Sequence, residues 1–259
     1  MKETIFHLEN RGNSYIYHFL YFNLGGLYYI ENKLYNVKSN DANKNGSTFP
    51  LLDKVVLKPS QEIEYPIKIH MNNVLQFHRE AFDIIKDKFI LIEDLNNLNE
   101  YEVVNIYGGN QNVDTNIIAP YIRNLFIPRI ESKYNNKNIY LTRKNTAQFH
   151  QGNLKRHMIN EDILMKTLKE YDFDYVILEE LSFKEKIQLF MNAETIISTH
   201  SGGLTFITFC KKDANIIEIL KNGTTVDGGF PHHHYVTIAK ILNLKNYKNY
   251  NNIVEDNLG

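Results

Sequence analysis

Continuous apolar runs alternate with amphipathic stretches through the second half of the chain. The runs cover residues 138–143, 174–180, 194–200 and 215–220. Because apolar residues fill consecutive positions rather than every second one, these runs predict strands of a parallel sheet that is covered on both faces. The amphipathic stretches place apolar residues three and four positions apart, the spacing of one helix face. They cover residues 161–171, 182–193 and 234–244.

Local signals support these helices. Ser182 and Glu185 have the spacing of a capping box. Asn160 precedes two acidic residues, as at a helix start. Residues 201–210 begin with a glycine turn and predict a further helix. The resulting order of alternating strands and helices predicts an α/β domain with a parallel sheet over residues 138–245.

The first half carries weaker signals. Residues 15–30 predict a buried helix plus a turn, and with His18, Asn23 and two glycines they are too polar for a membrane span. Further helices are predicted at residues 77–88 and 117–126, and strands at 89–94 and 103–107. A polar stretch at 131–138 predicts a linker. We therefore predict an N-terminal half at 1–130, a C-terminal half at 138–245 and a tail at 246–259.

Composition narrows the choice of partners. A formal net charge of −1 does not favour nucleic acid, which selects a basic face. The single cysteine, Cys210, predicts a small buried hydrophobe and excludes an internal disulfide. No basic segment followed by an apolar run marks the N-terminus as a signal peptide, and a cytoplasmic location is the expectation. Arginine is scarce, with 6 Arg against 23 Lys, so each arginine is a candidate for a specific role.

Polar residues follow every predicted strand of the C-terminal half. In an open parallel sheet, ligands bind beyond the carboxyl ends of the strands. The residues at those ends are Thr142, Arg143, Glu179, Glu180, Thr199, His200, Ser201 and, just inside the last strand, Glu218. The sequence therefore predicts a ligand site at this edge of the sheet.

The most specific of these segments is His200-Ser201-Gly202-Gly203, which follows a strand and opens a helix. Glycines allow close backbone approach, and the first amides of a helix favour an anion such as a diphosphate. The segment lacks the G-x-G-x-x-G pattern, which argues against a nicotinamide oxidoreductase. Arg143 and Arg156 could hold phosphate oxygens with their guanidinium groups.

The run from Pro231 to His234 contains three adjacent histidines. Adjacent histidines converge poorly on one ion, and no acidic or cysteine partner is evident, so no metal site is predicted there. The run lies in the loop after the fourth strand, either beside the ligand or on the surface.

The order and spacing of these motifs resemble glycosyltransferase family 61. The resemblance rests on Tyr140-Leu-Thr-Arg143, Arg156-His-Met-Ile-Asn160-Glu161, Val176-Ile-Leu-Glu179 with Leu181-Ser-Phe183, Ile187-Gln-Leu-Phe190 with Ala193, Ile196-Ile-Ser-Thr-His200-Ser-Gly-Gly-Leu204 and Ile217-Glu-Ile219. The segment Ser14-Tyr-Ile-Tyr-His18-Phe-Leu20 is similar to a further stretch of the family. Ser201 stands where the family has glycine, and Thr142 where it has serine.

The resemblance implies a GT-B-like architecture, in which two Rossmann-like halves with parallel sheets face a cleft. It implies inverting transfer of a sugar from a nucleotide sugar, expected to be a UDP-sugar, to a hydroxyl acceptor. No cofactor and no essential metal are expected. The chain is short for the family, so the half that binds the acceptor is expected to be reduced.

Within that framework, the residues expected to bind the nucleotide sugar are Arg143, Arg156, Asn160, Glu180, Ser182, Ser201, Gly202, Gly203 and Glu218. Both arginines and the amides of 201–203 would hold the diphosphate, and Glu218 would accept hydrogen bonds from the ribose. The backbone at 180–182 would read the base, or would simply cap a helix. Asn160 would orient Arg156, or would simply begin a helix.

The catalytic base has two candidates, because an inverting transfer must take a proton from the acceptor hydroxyl. His18 is expected to face the cleft from the N-terminal half, and imidazole titrates near neutrality. His200 is the second candidate, although it could contact the diphosphate instead. A protein that binds a nucleotide sugar without turning it over stays open as an alternative.

Overall fold

The architecture comes from a computed structural model of the chain. It describes residues 3–9, 15–32, 64–94, 101–107, 114–133, 135–143, 158, 160–220, 233–244 and 246–251. Contacts divide the chain into two units, Met1–Asp114 and Thr115–Gly259.

The first unit contains a four-stranded parallel sheet. Its strands are β1 (Glu3–Glu9), β2 (Ile67–His70), β3 (Phe89–Ile92) and β4 (Tyr101–Tyr107), in the order β3-β2-β1-β4. Its helices are α1 (Ile16–His18), a π-helical turn (Phe19–Asn23), α2 (Leu24–Glu31) and α3 (Gln76–Ile84). The helix at 77–88 and both strands predicted for this unit are confirmed, whereas β1 and β2 were not predicted.

Residues 16–31 are helical without a break, so the turn predicted within 15–30 is wrong, and the glycine pair at 25–26 lies inside α2. A side chain at Gly26 would come within 2.9 Å of Leu8 Cδ2 and 3.3 Å of Ile106 Cγ2. Leu8 lies on β1 and Ile106 on β4, and both side chains are buried. The glycine therefore lets α2 approach the sheet over β1 and β4, and its role is packing rather than chain reversal.

The second unit contains a five-stranded parallel sheet. Its strands are β5 (Asn138–Leu141), β6 (Phe173–Val176), β7 (Thr195–Thr199), β8 (Asn215–Leu220) and β9 (Asn246–Asn251). Its helices are α4 (Thr115–Phe126), a 3₁₀ turn (Ile127–Arg129), α5 (Glu161–Lys169), a 3₁₀ turn (Leu178–Glu180), α6 (Phe183–Asn192), a 3₁₀ helix (Gly202–Phe209) and α7 (His233–Ile241). Two parallel sheets with helices between their strands confirm the predicted α/β class.

The strand order β6-β5-β7-β8-β9 shows where a ligand can sit. The chain passes from β5 to β6 on one side and then returns to β7 on the other side of β5. Helical connections therefore diverge between β5 and β7, and the crevice at this switch point is where open parallel sheets bind ligands. The carboxyl ends of β5 and β7 are Leu141 and Thr199.

The boundary between the units lies earlier than the linker predicted at 131–138. Helix α4 belongs to the second unit, because Arg123 donates hydrogen bonds to the carbonyl oxygens of Thr208 (2.9 Å) and Cys210 (2.7 Å). Phe126 adds an aromatic contact to Phe183, with ring centroids 5.4 Å apart. The helix thus packs against helical elements that follow it in the chain.

Three further elements differ from prediction. The strand predicted at 174–180 ends at Val176, and residues 178–180 form a 3₁₀ turn. Residues 202–209 form a 3₁₀ helix rather than an α-helix. The stretch 246–251 of the predicted tail is strand β9, which pairs with β8 over its whole length.

The helix predicted at 182–193 is confirmed together with its capping box. The Ser182 hydroxyl accepts a hydrogen bond from the Glu185 amide (3.3 Å), and the Glu185 carboxylate accepts one from the Ser182 amide (2.8 Å). Cys210 is fully buried, as predicted. No helix in the described part of the chain has both the length and the apolar character needed to cross a membrane.

Candidate functional site

Arg143 joins the two strand ends that flank the switch point. It follows β5, and its Nη1 atom donates a hydrogen bond to the carbonyl oxygen of His200, 3.3 Å away, directly after β7. The guanidinium group is half-buried. Because His200 is followed directly by the turn that leads into Gly202, this bond brings a positively charged guanidinium group and the glycine turn to the same edge of the sheet.

Gly203 brings the loop after β6 to the same place. A Cβ atom at this residue would lie 2.5 Å from Leu178 Cδ1. Leu178 is buried and begins the 3₁₀ turn Leu178–Glu180. The missing side chain at Gly203 therefore lets the loop after β6 approach the turn after β7 across the end of β5.

Hydrogen bonds fix the backbone of this glycine turn. The carbonyl oxygen of Ser201 accepts from the Leu204 amide (3.0 Å) and from the Tyr235 hydroxyl (2.7 Å). The Thr205 hydroxyl donates to the carbonyl oxygen of Gly202 (2.6 Å). With its carbonyl groups held in this way, the first turn of the 3₁₀ helix keeps its amides in one orientation, which is the arrangement that suits an anion.

His200 is paired with Glu218, the residue predicted to bind ribose. The imidazole Nδ1 atom lies 2.5 Å from Glu218 Oε1, and Glu218 Oε2 accepts a hydrogen bond from the Tyr247 hydroxyl. The Glu218 side chain is fully buried, whereas 19% of the His200 side chain is exposed. The structure thus places Glu218 in the interior, not on the surface that the ribose role requires.

Tyr247 is a neutral donor to this carboxylate. Burial raises the pKa of Tyr247, and the nearby charge of Glu218 raises it further. A phenol with a raised pKa keeps its proton at neutral pH, so Tyr247 remains a hydrogen-bond donor to the Glu218 carboxylate.

Thr142 faces away from the glycine turn. Its hydroxyl donates to Glu161 Oε1 (2.5 Å) and accepts from the Tyr175 hydroxyl (2.8 Å). Tyr140 also donates to Glu161 Oε1 (2.9 Å), and burial, with the charge of Glu161, raises the pKa of Tyr140. Glu161 therefore ties the start of α5 to β5.

The other predicted residues of this unit have simpler surroundings. Asn160 is exposed at the start of α5, and its side chain makes no cap hydrogen bond to that helix. Glu180 is exposed at the end of the Leu178–Glu180 turn. Ser182 caps α6, and its hydroxyl also donates to Glu185 Oε2 (2.7 Å). Base recognition by the backbone at 180–182 stays a prediction.

His18 lies in the first unit, at the end of α1. Its ring packs against Tyr15, Tyr17 and Phe22. The Nδ1 atom is buried and finds no hydrogen bond partner among the described residues. Its predicted position at a cleft stays a prediction.

Two predictions fall on residues outside those described. Arg156, and with it the expected pairing with Asn160, lies outside them, as do Pro231 and His232. Within the described residues, no group of three or more His, Cys, Asp or Glu side chains could hold a metal ion.

The sequence analysis missed Tyr235 and Tyr247. Tyr235 follows His234 at the start of α7, and its ring centroid lies 5.3 Å from that of His200. Its place in the sequence, directly after three adjacent histidines, was a usable signal. Tyr247 lies in a polar stretch that gives no hint of a strand.

Comparison with known protein families shows one match. The family described as Glycosyltransferase 61 matches residues 70–217, which is more than half of the chain. The matched segment includes β5 to β7 and the glycine turn, and it ends one residue before Glu218. No curated protein matches the chain.

Proposed function

The chain belongs to the glycosyltransferase 61 family, and on that premise we propose that it transfers a sugar from a nucleotide sugar to a hydroxyl acceptor. The observation that carries the proposal is the hydrogen bond from Arg143 to the carbonyl oxygen of His200. It brings a guanidinium group to the glycine turn, at the switch point where open parallel sheets bind nucleotides.

In this proposal the donor is a nucleoside diphosphate sugar, and UDP-sugars are the first candidates. Arg143 and Arg156 hold the diphosphate together with the amides of 201–203, and the backbone at 180–182 contacts the base. The contact of Gly203 with Leu178 supports this arrangement, because it places the loop after β6 next to the glycine turn. Two Rossmann-like units, each with a parallel sheet, would face a cleft in the GT-B manner.

The proposed reaction inverts the anomeric carbon. The acceptor oxygen forms a bond to that carbon while the bond to the diphosphate oxygen breaks, and the leaving electron pair stays on the diphosphate. A base, His18 or His200, takes the acceptor proton. Guanidinium groups stabilise the negative charge on the leaving group, so neither a metal nor a cofactor is required in this proposal.

Binding and turnover should be measured side by side on the full chain. Thermal shift and calorimetry with UDP, GDP and NAD identify the nucleotide, because a ligand stabilises only the protein that binds it. Hydrolysis and transfer with UDP-sugars and GDP-sugars, with and without a chelator, then test the reaction. Stabilisation by NAD and not by UDP or GDP would overturn the proposal.

The second candidate is a protein that binds a nucleotide sugar without transferring it. The substitution of Ser201 for the glycine of related sequences favours it, because a hydroxyl changes the turn next to the diphosphate. This candidate predicts tight binding of the donor, no hydrolysis and no transfer to any acceptor in the panel.

A further inference from the structure

Glu218 forms the centre of a row of three side chains inside the second unit. Each carboxylate oxygen has a partner, His200 Nδ1 on one side and the Tyr247 hydroxyl on the other. The three residues come from the end of β7, from β8 and from β9. Because Glu218 is fully buried, its carboxylate contacts His200 and Tyr247 rather than solvent.

We infer that Glu218 and Tyr247 are positioning residues for His200, which accepts the acceptor proton at Nε2. The inference rests on the proposed function and assigns the base that it left open. Tyr247 holds one oxygen of the carboxylate, so the other stays directed at Nδ1. A carboxylate at Nδ1 keeps a proton on that nitrogen, and the chemistry of His200 toward a ligand then runs through Nε2.

Two contacts restrict the imidazole further. Tyr235 lies against the ring of His200, and its hydroxyl donates to the carbonyl oxygen of the adjacent Ser201. Arg143 binds the carbonyl oxygen of His200 itself. The residue proposed to hold the diphosphate is thus hydrogen-bonded to the backbone of the proposed base, which fixes the main chain from which the imidazole ring extends.

In this step the proton of the acceptor hydroxyl moves to His200. The acceptor hydroxyl gives its proton to His200 Nε2 as its oxygen bonds to the anomeric carbon, and the nucleoside diphosphate leaves with the electron pair of the broken bond. His200 becomes an imidazolium ion. The buried Glu218 carboxylate compensates that positive charge, and no proton needs to move to Glu218.

The test uses the full chain with ¹⁵N-labelled histidine. Long-range proton–nitrogen correlation spectra identify which imidazole nitrogen carries the proton, and they require no turnover. We expect Nδ1 of His200 to be protonated in the wild type and Glu218→Gln to change that pattern. Tyr247→Phe should broaden or shift the His200 signals, whereas Tyr250→Phe, an exposed tyrosine on the same strand, should leave them unchanged.

Kinetics supply the second readout. Glu218→Gln should lower kcat by on the order of 10²-fold, the usual worth of a positioned base, while KM for the donor stays within about threefold. Tyr247→Phe should lower kcat by about tenfold or more, as expected for the loss of one hydrogen bond to a charged group. Tyr250→Phe should change neither constant.

The outcomes separate the two proposals. A wild-type His200 that carries its proton on Nε2, or transfer that is unaffected by Glu218→Gln, would overturn the positioning role while leaving the glycosyltransferase intact. Conversely, the expected spectra in a protein that transfers no sugar would leave the positioning of His200 standing and would defeat the proposed reaction. Loss of the folded spectrum in both variants at Glu218 and Tyr247 would also overturn the inference, because their role would then be stability.

Discussion

Arg143 connects the fold to the proposed chemistry at the scale of a single side chain. It is one of 6 arginines in a chain with 23 lysines, and it lies at the switch point of the second sheet. Replacing it with alanine should weaken nucleoside diphosphate binding at least about tenfold, or about 1.4 kcal/mol, because the site loses its guanidinium donors. Calorimetry with UDP and GDP measures the change.

The matched control is Arg79→Ala, since Arg79 is an exposed arginine of the first unit that pairs with Glu93 at 2.6 Å. Its loss should leave the dissociation constant unchanged. An unaltered affinity in Arg143→Ala would remove this residue from the diphosphate site.

The surroundings of Gly203 allow a prediction about the stability of a variant. A methyl group there would meet Leu178 Cδ1 at 2.5 Å, and Leu178 is held in the core. Gly203→Ala should therefore lower the free energy of unfolding by about 1–3 kcal/mol, the usual cost of overpacking. Urea denaturation of the wild type and the variant measures it.

A double variant identifies the cause of that loss. Leu178→Ala opens space for the new methyl group, so Gly203→Ala should cost less in that background, with a coupling of about 1 kcal/mol or more. Strictly additive losses would show that the contact with Leu178 is not the cause of the loss in Gly203→Ala.

The strand pattern indicated which polar residues lie at the carboxyl edge of the sheet but not the directions of their side chains. Arg143, His200 and Glu218 all lie at the carboxyl edge, as the strand pattern indicated. Burial alternates along β8, and Glu218 falls on a buried position of a strand whose residues are all apolar except Asn215 and Glu218. A strand without polar alternation does not reveal which way its one acid points, so the interior pairing with His200 could not be predicted.

At the scale of elements, α4 and the 3₁₀ helix Gly202–Phe209 are joined by Arg123. The end of that helix has carbonyl groups without partners inside the helix, and Arg123 supplies two hydrogen bonds to this region. Burial lowers the pKa of Arg123, yet a guanidinium group stays charged in proteins. Arg123→Met should therefore cost about 1.5–3 kcal/mol of stability, the range for bonds from a charged donor.

Equilibrium unfolding in urea checks this value. Lys133→Met is the control, because Lys133 is an exposed cation whose pair with Glu131 spans 3.6 Å. Surface pairs of this kind contribute little, so the control should stay within about 0.5 kcal/mol of the wild type. A similar small loss in Arg123→Met would show that α4 is held by its apolar face alone.

A pair of histidines links two strands of the first sheet. His7 Nδ1 lies 2.8 Å from His70 Nδ1, across the register of β1 and β2. Burial lowers the pKa of His70 from its ordinary value of 6.5, and the neighbouring His7 lowers it further. In the pH range just below 6.5, the unfolded chain therefore binds more protons at His70 than the folded protein does.

The free energy of unfolding should consequently be highest above pH 6.5, where His70 is neutral in both states. It should decrease as the pH is lowered below 6.5. Urea unfolding at about pH 7.5 and about pH 5.5 measures the loss, which His70→Gln should reduce. A variant that keeps the whole pH dependence of the wild type would assign the loss to other groups.

The elements that were predicted and those that were missed differ in how much apolar surface they carry. Strands β5, β7 and β8 contain runs of isoleucine and other apolar residues, and pattern alone located them. Strand β9, with the sequence Asn-Tyr-Lys-Asn-Tyr-Asn, has no such run. It is an edge strand that pairs only with β8, and pairing with a neighbour is not visible in its own residues.

At the scale of the whole chain, the position of the boundary between the two units is the main difference from the sequence analysis. A polar stretch at 131–138 has the composition of a linker, but the helix before it packs against helical elements that come after it. The polar composition of a segment indicates that the segment is exposed to solvent. It does not indicate against which of the two units the neighbouring elements pack. The contact boundary therefore lies between Asp114 and Thr115, ahead of α4.

Two fragments of the second unit test this boundary. Residues 115–259 retain α4 and the bonds of Arg123, and should unfold cooperatively in urea and bind UDP within about threefold of the full chain, because Arg143 and the glycine turn lie in this unit. Residues 131–259 lose α4 and expose Phe183 and Phe209, the rings that contact Phe126. That fragment should unfold without cooperativity or aggregate, since removal of a core helix leaves apolar surface in water. Equal stability of the two fragments would restore the boundary that the linker composition predicted, and failure of 115–259 to bind a nucleotide that the full chain binds would place part of the nucleotide site in the first unit.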